Sequence, residues 1–135
     1  MKRFMLVTNS ILIVLIMGIN ALGALPIDYS PQWSNILRMS NIIAFDGLNG
    51  NASASVYGKT GTTKVEGTLT VYKQFGSSWI EVDSTTETTT TNSYVALSID
   101  FSAVSGGYYK SFFEVTVTRN GVEESDTMTS YRTCP

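Results

Sequence analysis

The chain of 135 residues contains no histidine and only one cysteine, and these absences exclude most familiar active sites. Without histidine there is no Ser-His-Asp triad, no Cys-His pair and no histidine-ligated metal site. The usual general base near neutral pH is missing as well. The sequence therefore predicts no catalytic residues, no cofactor and no metal site, and we expect a protein that is not an enzyme.

The single cysteine, Cys134, stands one residue from the end of the chain and has no partner for an internal disulfide. Its thiol either pairs with a second molecule through an intermolecular disulfide or is exposed in the C-terminal tail, residues 132–135, without a role. The second interpretation is favoured, because chain ends are usually loosely held.

Basic residues are few and scattered. Outside the first 24 residues, seven lysines and arginines stand against eleven aspartates and glutamates, which gives a net charge of −4. Because no cluster of positive side chains is present to neutralise phosphates, the sequence predicts no nucleic-acid partner.

The longest apolar run lies within residues 1–24. Lys2 and Arg3 precede it, residues 11–19 form its apolar centre, and residues 21–23 (Ala-Leu-Gly) offer small side chains for cleavage. This order is typical of a secretory signal peptide, and the run is shorter than the roughly 20 residues that span a bilayer. We expect a secreted, extracellular protein. The alternative is an uncleaved signal segment, which would be its only contact with a membrane.

Apolar and polar residues alternate along the rest of the chain, and no helical periodicity follows residue 24. Alternation at period two is typical of strands with one buried face. The two clearest such faces carry Val95, Leu97, Ile99 and Phe101, and then Tyr109, Ser111, Phe113, Val115 and Val117. Asn120-Gly121 follows the second run and predicts a two-residue hairpin turn, since both residues tolerate positive φ.

About seven short strands separated by turns predict an antiparallel β-sandwich over residues 36–131, of immunoglobulin-like or fibronectin-like type. Residues 25–35 form an extended lead-in before it. The Thr-rich residues 85–93 have no apolar face and are expected in an exposed edge or loop. Residues 122–131 carry several acidic side chains, which predicts a protected edge strand.

The first strand has an interrupted pattern. Leu37, Met39, Ile43 and Phe45 are expected to share its buried face, and Asn41 falls among them. A polar residue at that point indicates a β-bulge or a shifted register.

Two acidic pairs stand on predicted strands, Glu81 with Asp83 and Glu124 with Asp126. A glycosidase would need two carboxylates that face each other across a cleft. Because each pair is spaced i, i+2 on a strand surface, we interpret both as solvated edge residues.

Large aromatic rings and the Thr-rich stretch supply the candidates for a contact surface: Trp33, Trp79, Thr88 and Thr90. Exposed aromatic clusters mark binding sites on soluble proteins. Trp33 has a second interpretation, in which the ring folds back to cover one end of the core.

Tyr109 stands at the start of its predicted strand, with its ring on the apolar face. A buried phenol needs a hydrogen-bond partner. In β-sandwiches the hydroxyl of such a tyrosine reaches backbone a few residues upstream, which is the tyrosine corner. We therefore predict a structural role for Tyr109, as for Asn120 and Gly121 in the hairpin turn.

Five short segments follow one another along the chain: Tyr29–Trp33, Gly58–Lys64, Trp79–Val82, Gly107–Lys110 and Val115–Glu124. Together they resemble a group of small, functionally uncharacterised secreted β-sandwich proteins of Gram-positive bacteria. The resemblance implies export and a sandwich fold, and it implies no catalytic or binding residues. Members often carry a cysteine on the second strand, where this chain has Ser53 and Ala54.

Two classes of function are compatible with these features. The first is a secreted, non-catalytic module that binds an extracellular protein or carbohydrate through a sheet face or its loops. The alternative is a small secreted enzyme or enzyme inhibitor. Clustered exposed Trp or Tyr side chains would favour binding, and carboxylates that converge in a cleft would favour catalysis.

Overall fold

The computed structural model describes residues 32–135, in which every regular element is a β-strand. The predicted signal peptide and most of the lead-in lie outside the described residues. No helix long and apolar enough to cross a membrane occurs within residues 32–135. The seven strands are β1 (Ile36–Asp46), β2 (Asn49–Gly58), β3 (Thr62–Phe75), β4 (Ser78–Thr89), β5 (Tyr94–Ser102), β6 (Tyr108–Arg119) and β7 (Val122–Thr133).

The strands form two antiparallel sheets, which we call sheet A and sheet B. Sheet A has the order β1-β2-β5, and sheet B has the order β4-β3-β6-β7. The prediction of an all-β antiparallel sandwich of about seven strands is confirmed. The Thr-rich residues belong largely to β4 and the acidic C-terminal segment to β7, so each polar stretch occupies an edge of sheet B.

The core lies between the two sheets, and alternate residues of each strand supply it. Its fully buried members are aliphatic or aromatic; those below 2% exposure include Ile43, Val56, Leu69, Val71, Val95 and Phe113. Burying one such side chain contributes about 1.5–3 kcal/mol of transfer free energy. The inner faces of both sheets therefore stabilise the fold in the same way, by burying apolar side chains.

The first strand differs from its prediction at two points. A register shift between Ile36 and Arg38 turns Ile36 into the core and leaves Leu37 exposed at 60%, so the placement of Leu37 on the buried face is wrong. The prediction of an irregularity at Asn41 is also wrong, because Asn41 pairs with Ala54 in regular register. The bulge lies instead at the start of the strand.

Asn41 points inward and links the two sheets. Its amide nitrogen donates to the carbonyl of Ser111 at 2.9 Å and to that of Met128 at 2.8 Å. The Ser111 hydroxyl donates to the Asn41 side-chain oxygen at 2.7 Å. A polar residue is tolerated at this buried point because each of its hydrogen-bonding groups has a partner.

Tyr109 is 1% exposed, and its hydroxyl accepts a hydrogen bond of 2.9 Å from the backbone N–H of Val104, five residues upstream. Its ring packs against Phe45 and Phe101, with centroids 5.5 and 5.3 Å away. Gly107 makes room for this ring, since a Cβ there would lie 2.8 Å from a ring carbon. The hydroxyl thereby ties the β5–β6 connection to the start of β6.

The lead-in is held against β7 by Glu124. Its carboxylate accepts hydrogen bonds from the backbone N–H groups of Ser34, Asn35 and Ile36, at 2.7, 2.8 and 2.9 Å. Partial desolvation alone would raise the pKa of Glu124. The three N–H donors and the charge of Lys59 outweigh that effect and hold the pKa below its ordinary value.

Asp126 holds the same segment by accepting a hydrogen bond of 2.6 Å from the indole N–H of Trp33. The interpretation of Glu124 and Asp126 as merely solvated edge residues is therefore wrong. Sequence could not reveal this contact, since the partners lie about 90 positions apart in the chain.

The C-terminal residues are fixed in the structure. Cys134 is 1% exposed, its backbone N–H donates to Gly107, and its carbonyl accepts from Gly106. The expectation of an exposed thiol in a loose tail is therefore wrong. An intermolecular disulfide would require this segment to detach from the β5–β6 connection.

The hairpin between β6 and β7 turns at Asn120 and Gly121, whose φ angles are 53° and 75°. Both values lie in the left-handed region, which asparagine tolerates and glycine adopts freely. The turn sets the register in which Arg119 pairs with Val122, and hence the alignment of β7 on β6.

A candidate ligand-binding face on sheet B

An aromatic cluster covers one end of the outer face of sheet B. It consists of Trp79 on β4, Tyr108 on β6 and Tyr131 on β7. The Trp79 ring centroid lies 5.7 Å from that of Tyr108 and 6.0 Å from that of Tyr131, and the two tyrosine rings stack at 5.9 Å. These side chains reach across the sheet from both of its edges, so three separate strands build one surface.

Lys110 fills the space beside this cluster. Its ammonium nitrogen lies 4.5 Å from the ring centroid of Trp79 and 5.0 Å from that of Tyr72. Strand register brings Lys110 close to these rings, because Lys110 pairs with Tyr72 on one side and with Tyr131 on the other. The electron-rich faces of the two rings attract the ammonium group, and this contact helps to fix the orientation of Trp79.

The aromatic cluster is incompletely buried. Tyr131 is 53% exposed and Tyr108 is 37% exposed, while Trp79 is half-buried. None of the three side chains is needed to fill the core, which lies on the opposite side of the sheet. Exposed aromatic area of this kind is available for stacking on a ligand.

An open groove occupies the other half of the same face, and we call it the hydroxyl groove. Its outward side chains are hydroxyls and carboxylates, contributed by all four strands: Glu66, Thr68, Thr86, Thr88, Glu114, Thr116, Ser125 and Thr127. Two cross-strand pairs order it, Thr68 with Thr86 at 2.9 Å and Thr116 with Ser125 at 2.8 Å. Each hydroxyl keeps lone pairs free to accept from a ligand.

Two glutamates lie within the hydroxyl groove. Glu66 pairs with Thr116 and Glu114 pairs with Thr68, so the two acids are diagonal neighbours, and residues in this relation lie about 7–8 Å apart. Glu66 forms an ion pair of 3.2 Å with Lys64. Glu114 is exposed and forms no ion pair with any described residue.

The four residues predicted for a contact surface are separated by the fold. Trp79 belongs to the aromatic cluster and Thr88 lines the hydroxyl groove. Thr90 lies in the bend after β4, outside both. Trp33 packs against the core, and its indole N–H is bonded to Asp126.

Sequence reasoning did not single out Tyr108, Tyr131, Glu66 or Glu114 for this face. Period-two alternation puts each of them on the outer side of its strand, but it does not say which strands are neighbours. The order β4-β3-β6-β7, which brings them together, depends on long-range pairing. Within residues 32–135, no three acidic or cysteine side chains converge in a way that could hold a metal ion.

Comparison with known proteins finds distant structural likenesses. No family model matches the chain, and no curated protein matches it. The sporulation control protein Spo0M of Bacillus subtilis is 10% identical, with a TM-score of 0.38 over 73% of this chain and 49% of that one. The E. coli curli protein CsgC is 14% identical, with a TM-score of 0.41 over 67% of this chain and 95% of that one. The chain thus spans about half the length of the Spo0M chain, and similarity this distant assigns no function.

Proposed function

We propose that this protein is a secreted, non-catalytic binding module that contacts its ligand through the outer face of sheet B. The observation that carries the proposal is the aromatic cluster of Trp79, Tyr108 and Tyr131, which is partly exposed and unnecessary for the core. The adjoining hydroxyl groove supplies hydrogen-bonding groups on the same surface. Apolar rings beside a few ordered polar groups are the usual composition of a ligand site.

Export is supported by residues 1–24, in which two basic residues, an apolar run and small side chains follow in order. The resemblance to secreted proteins of Gram-positive bacteria agrees with it. Mass spectrometry of the protein from culture medium tests this part directly. Loss of about the first 24 residues is expected, and an intact N-terminus retained in the membrane fraction would contradict it.

An immunoglobulin-like or fibronectin-like type of sandwich belongs to the same proposal. Its support is the strand order, with β1-β2-β5 opposite β4-β3-β6-β7, together with the hydrogen bond from Val104 to Tyr109 at the start of β6. Sandwiches of this type serve as binding modules on cell surfaces, although fold alone decides no function.

The absence of catalysis is supported by composition and by the shape of the groove. The chain has no histidine, and Glu66 and Glu114 lie on an open sheet face rather than across a closed cleft. The alternative is a small secreted enzyme inhibitor or enzyme, and for an enzyme these two glutamates are the best catalytic candidates. Turnover of a polysaccharide that disappears in both Glu66→Gln and Glu114→Gln would establish that alternative.

A capture experiment with matched variants tests the binding face. Immobilised wild-type protein, Trp79→Ala and Tyr94→Ala are exposed to cell-wall fractions and culture supernatant. Tyr94 is a matched control because it is 47% exposed and stacks on Tyr57 on the outer face of sheet A. We expect capture by wild type and Tyr94→Ala and loss of capture in Trp79→Ala. Equal capture of the ligand by all three proteins would contradict the proposal that the outer face of sheet B binds it.

A further inference from the structure

We propose that the ligand of the sheet B face is a neutral polysaccharide chain that lies along the strands, from the aromatic cluster into the hydroxyl groove. This inference rests on the proposed function and names the class of ligand that the same surface would take. It depends on three features of the surface: its rings, its hydrogen-bonding groups and its charges.

The aromatic cluster suits the apolar face of a sugar ring. The rings of Tyr108 and Tyr131 are nearly parallel, with planes 18° apart, and Trp79 is tilted against both. Lys110 lies against the Trp79 ring and restrains it before any ligand arrives. A pre-ordered aromatic surface loses little side-chain entropy on binding, which favours affinity.

The hydroxyl groove suits the polar edges of the same kind of ligand. Carboxylates accept hydrogen bonds from sugar hydroxyls, and Thr and Ser hydroxyls both donate and accept. The cross-strand pairs of Thr68 with Thr86 and of Thr116 with Ser125 keep these groups in fixed positions. The centre of a protein interface is usually depleted of charged side chains, whereas this groove contains Glu66 and Glu114.

The distribution of charge disfavours a polyanion. Lys64 is paired with Glu66 at 3.2 Å, and Lys110 lies between the rings of Trp79 and Tyr72. The exposed carboxylate of Glu114 adds negative potential to the groove, which repels acidic polymers. The surface therefore suits an uncharged chain better than an acidic one.

The length of the surface indicates a polymer rather than a single sugar. Lys110 beside the aromatic cluster and Thr116 in the hydroxyl groove are six residues apart on β6. At the rise of a β-strand this separation is about 20 Å. One ligand can contact both halves of the face only if it contains several linked sugar units.

Calorimetry and affinity electrophoresis of the purified protein test the inference with four probes: a glucan, a galactomannan, polygalacturonate and heparin. We expect binding to at least one neutral polymer and no binding to the two acidic ones. Trp79→Ala and Tyr131→Ala should each weaken binding by about tenfold or more, as for buried aromatic contacts. Glu114→Gln should weaken it several-fold, while Tyr94→Ala should leave it unchanged. Salt should change the affinity by less than about twofold, because no phosphate-like charge is neutralised.

The outcomes separate this inference from the proposed function on which it rests. If no neutral polymer binds but another captured ligand is lost in Trp79→Ala, the face binds and the glycan inference is wrong. Salt-dependent binding to polygalacturonate or heparin would also overturn the inference alone. If neither Trp79→Ala nor Tyr131→Ala changes any binding while both variants melt like the wild type, both proposals are wrong.

Discussion

The two outer faces of the sandwich are made of different residue types, whereas the two inner faces are alike. Apart from Ile42 and one row of Arg38, Tyr57 and Tyr94, the outer face of sheet A presents mainly small side chains such as Ser40, Ser53, Ser55, Ala96 and Ser98. Sheet B presents an aromatic cluster and the hydroxyl groove. Folding requires neither outer face to be rich in rings, and this difference supports our proposal that sheet B contacts the ligand.

The largest effect on stability is expected inside the sandwich. Asn41→Ala removes the hydrogen bonds to Ser111 and Met128 and leaves buried polar groups without partners, which should cost about 2–3 kcal/mol. Ser40→Ala is the control, since it removes an exposed bond to Ser55 on the outer face of sheet A and should cost less than about 0.5 kcal/mol. Urea unfolding of both variants decides the point. Equal losses of stability in the two variants would contradict the expectation that contacts on the inner faces contribute more than contacts on the outer faces.

The next largest effect separates the two polar edges of sheet B. Glu124→Gln should cost about 1–2 kcal/mol near neutral pH, because the lead-in loses a charged acceptor shared by three N–H groups. Glu81→Gln on β4, an exposed residue of the other edge, should change stability by less than about 0.5 kcal/mol. A destabilised Glu81→Gln would show that β4 has structural contacts of its own.

The contribution of Glu124 should depend on pH with a definite sign. Since its pKa is lowered in the folded protein, the contact stabilises above the ordinary pKa of a glutamate, about 4.3, and this contribution is lost as pH falls through the folded pKa. The difference in stability between wild type and Glu124→Gln should therefore narrow in acid. Urea midpoints measured from pH 7 to pH 3 test this, and a difference that widens would contradict it.

A smaller effect is expected at Tyr109. Tyr109→Phe keeps the buried ring but removes the acceptor for the Val104 N–H, at a cost of about 1 kcal/mol. Tyr94→Phe removes an equivalent hydroxyl from the outer face of sheet A and should be neutral. Thermal melting of the two variants gives the comparison. An unchanged melting point for Tyr109→Phe would contradict a stabilising role of the Tyr109 hydroxyl as a tyrosine corner.

The smallest effect on stability is expected in the binding face itself. Tyr131→Ala and Tyr94→Ala remove similarly exposed rings from opposite outer faces, and each should cost only about 0.5 kcal/mol. Stability therefore should not distinguish them, although ligand binding should. A large loss of stability in Tyr131→Ala alone would mean that the cluster holds β7 in place.

Much of the fold follows from local pattern. The alternation of Val95, Leu97 and Ile99 predicted β5, and all three side chains are buried. The same rule fails on β1, where the bulge after Ile36 reverses the direction of Leu37. A bulge adds one residue and shifts every side chain before it to the other face, so alternation alone cannot place them.

The polar contacts could not be predicted because their partners are distant in the chain. Asn41 meets Ser111 across the core, and Glu124 meets Ser34 from the far end of the sequence. Glu124 and Glu81 share the same local pattern, an acid on a polar strand, yet only Glu124 holds another segment. The aromatic cluster depends likewise on the strand order of sheet B.

The two tryptophans of the chain offer the most direct test of the binding face. In Trp33→Phe, Trp79 is the sole indole and reports from the aromatic cluster. In Trp79→Phe, Trp33 reports from the lead-in. Tryptophan fluorescence is followed while each variant is titrated with a neutral polysaccharide. Our account predicts a saturable change in Trp33→Phe and none in Trp79→Phe; a change seen only in Trp79→Phe would contradict it.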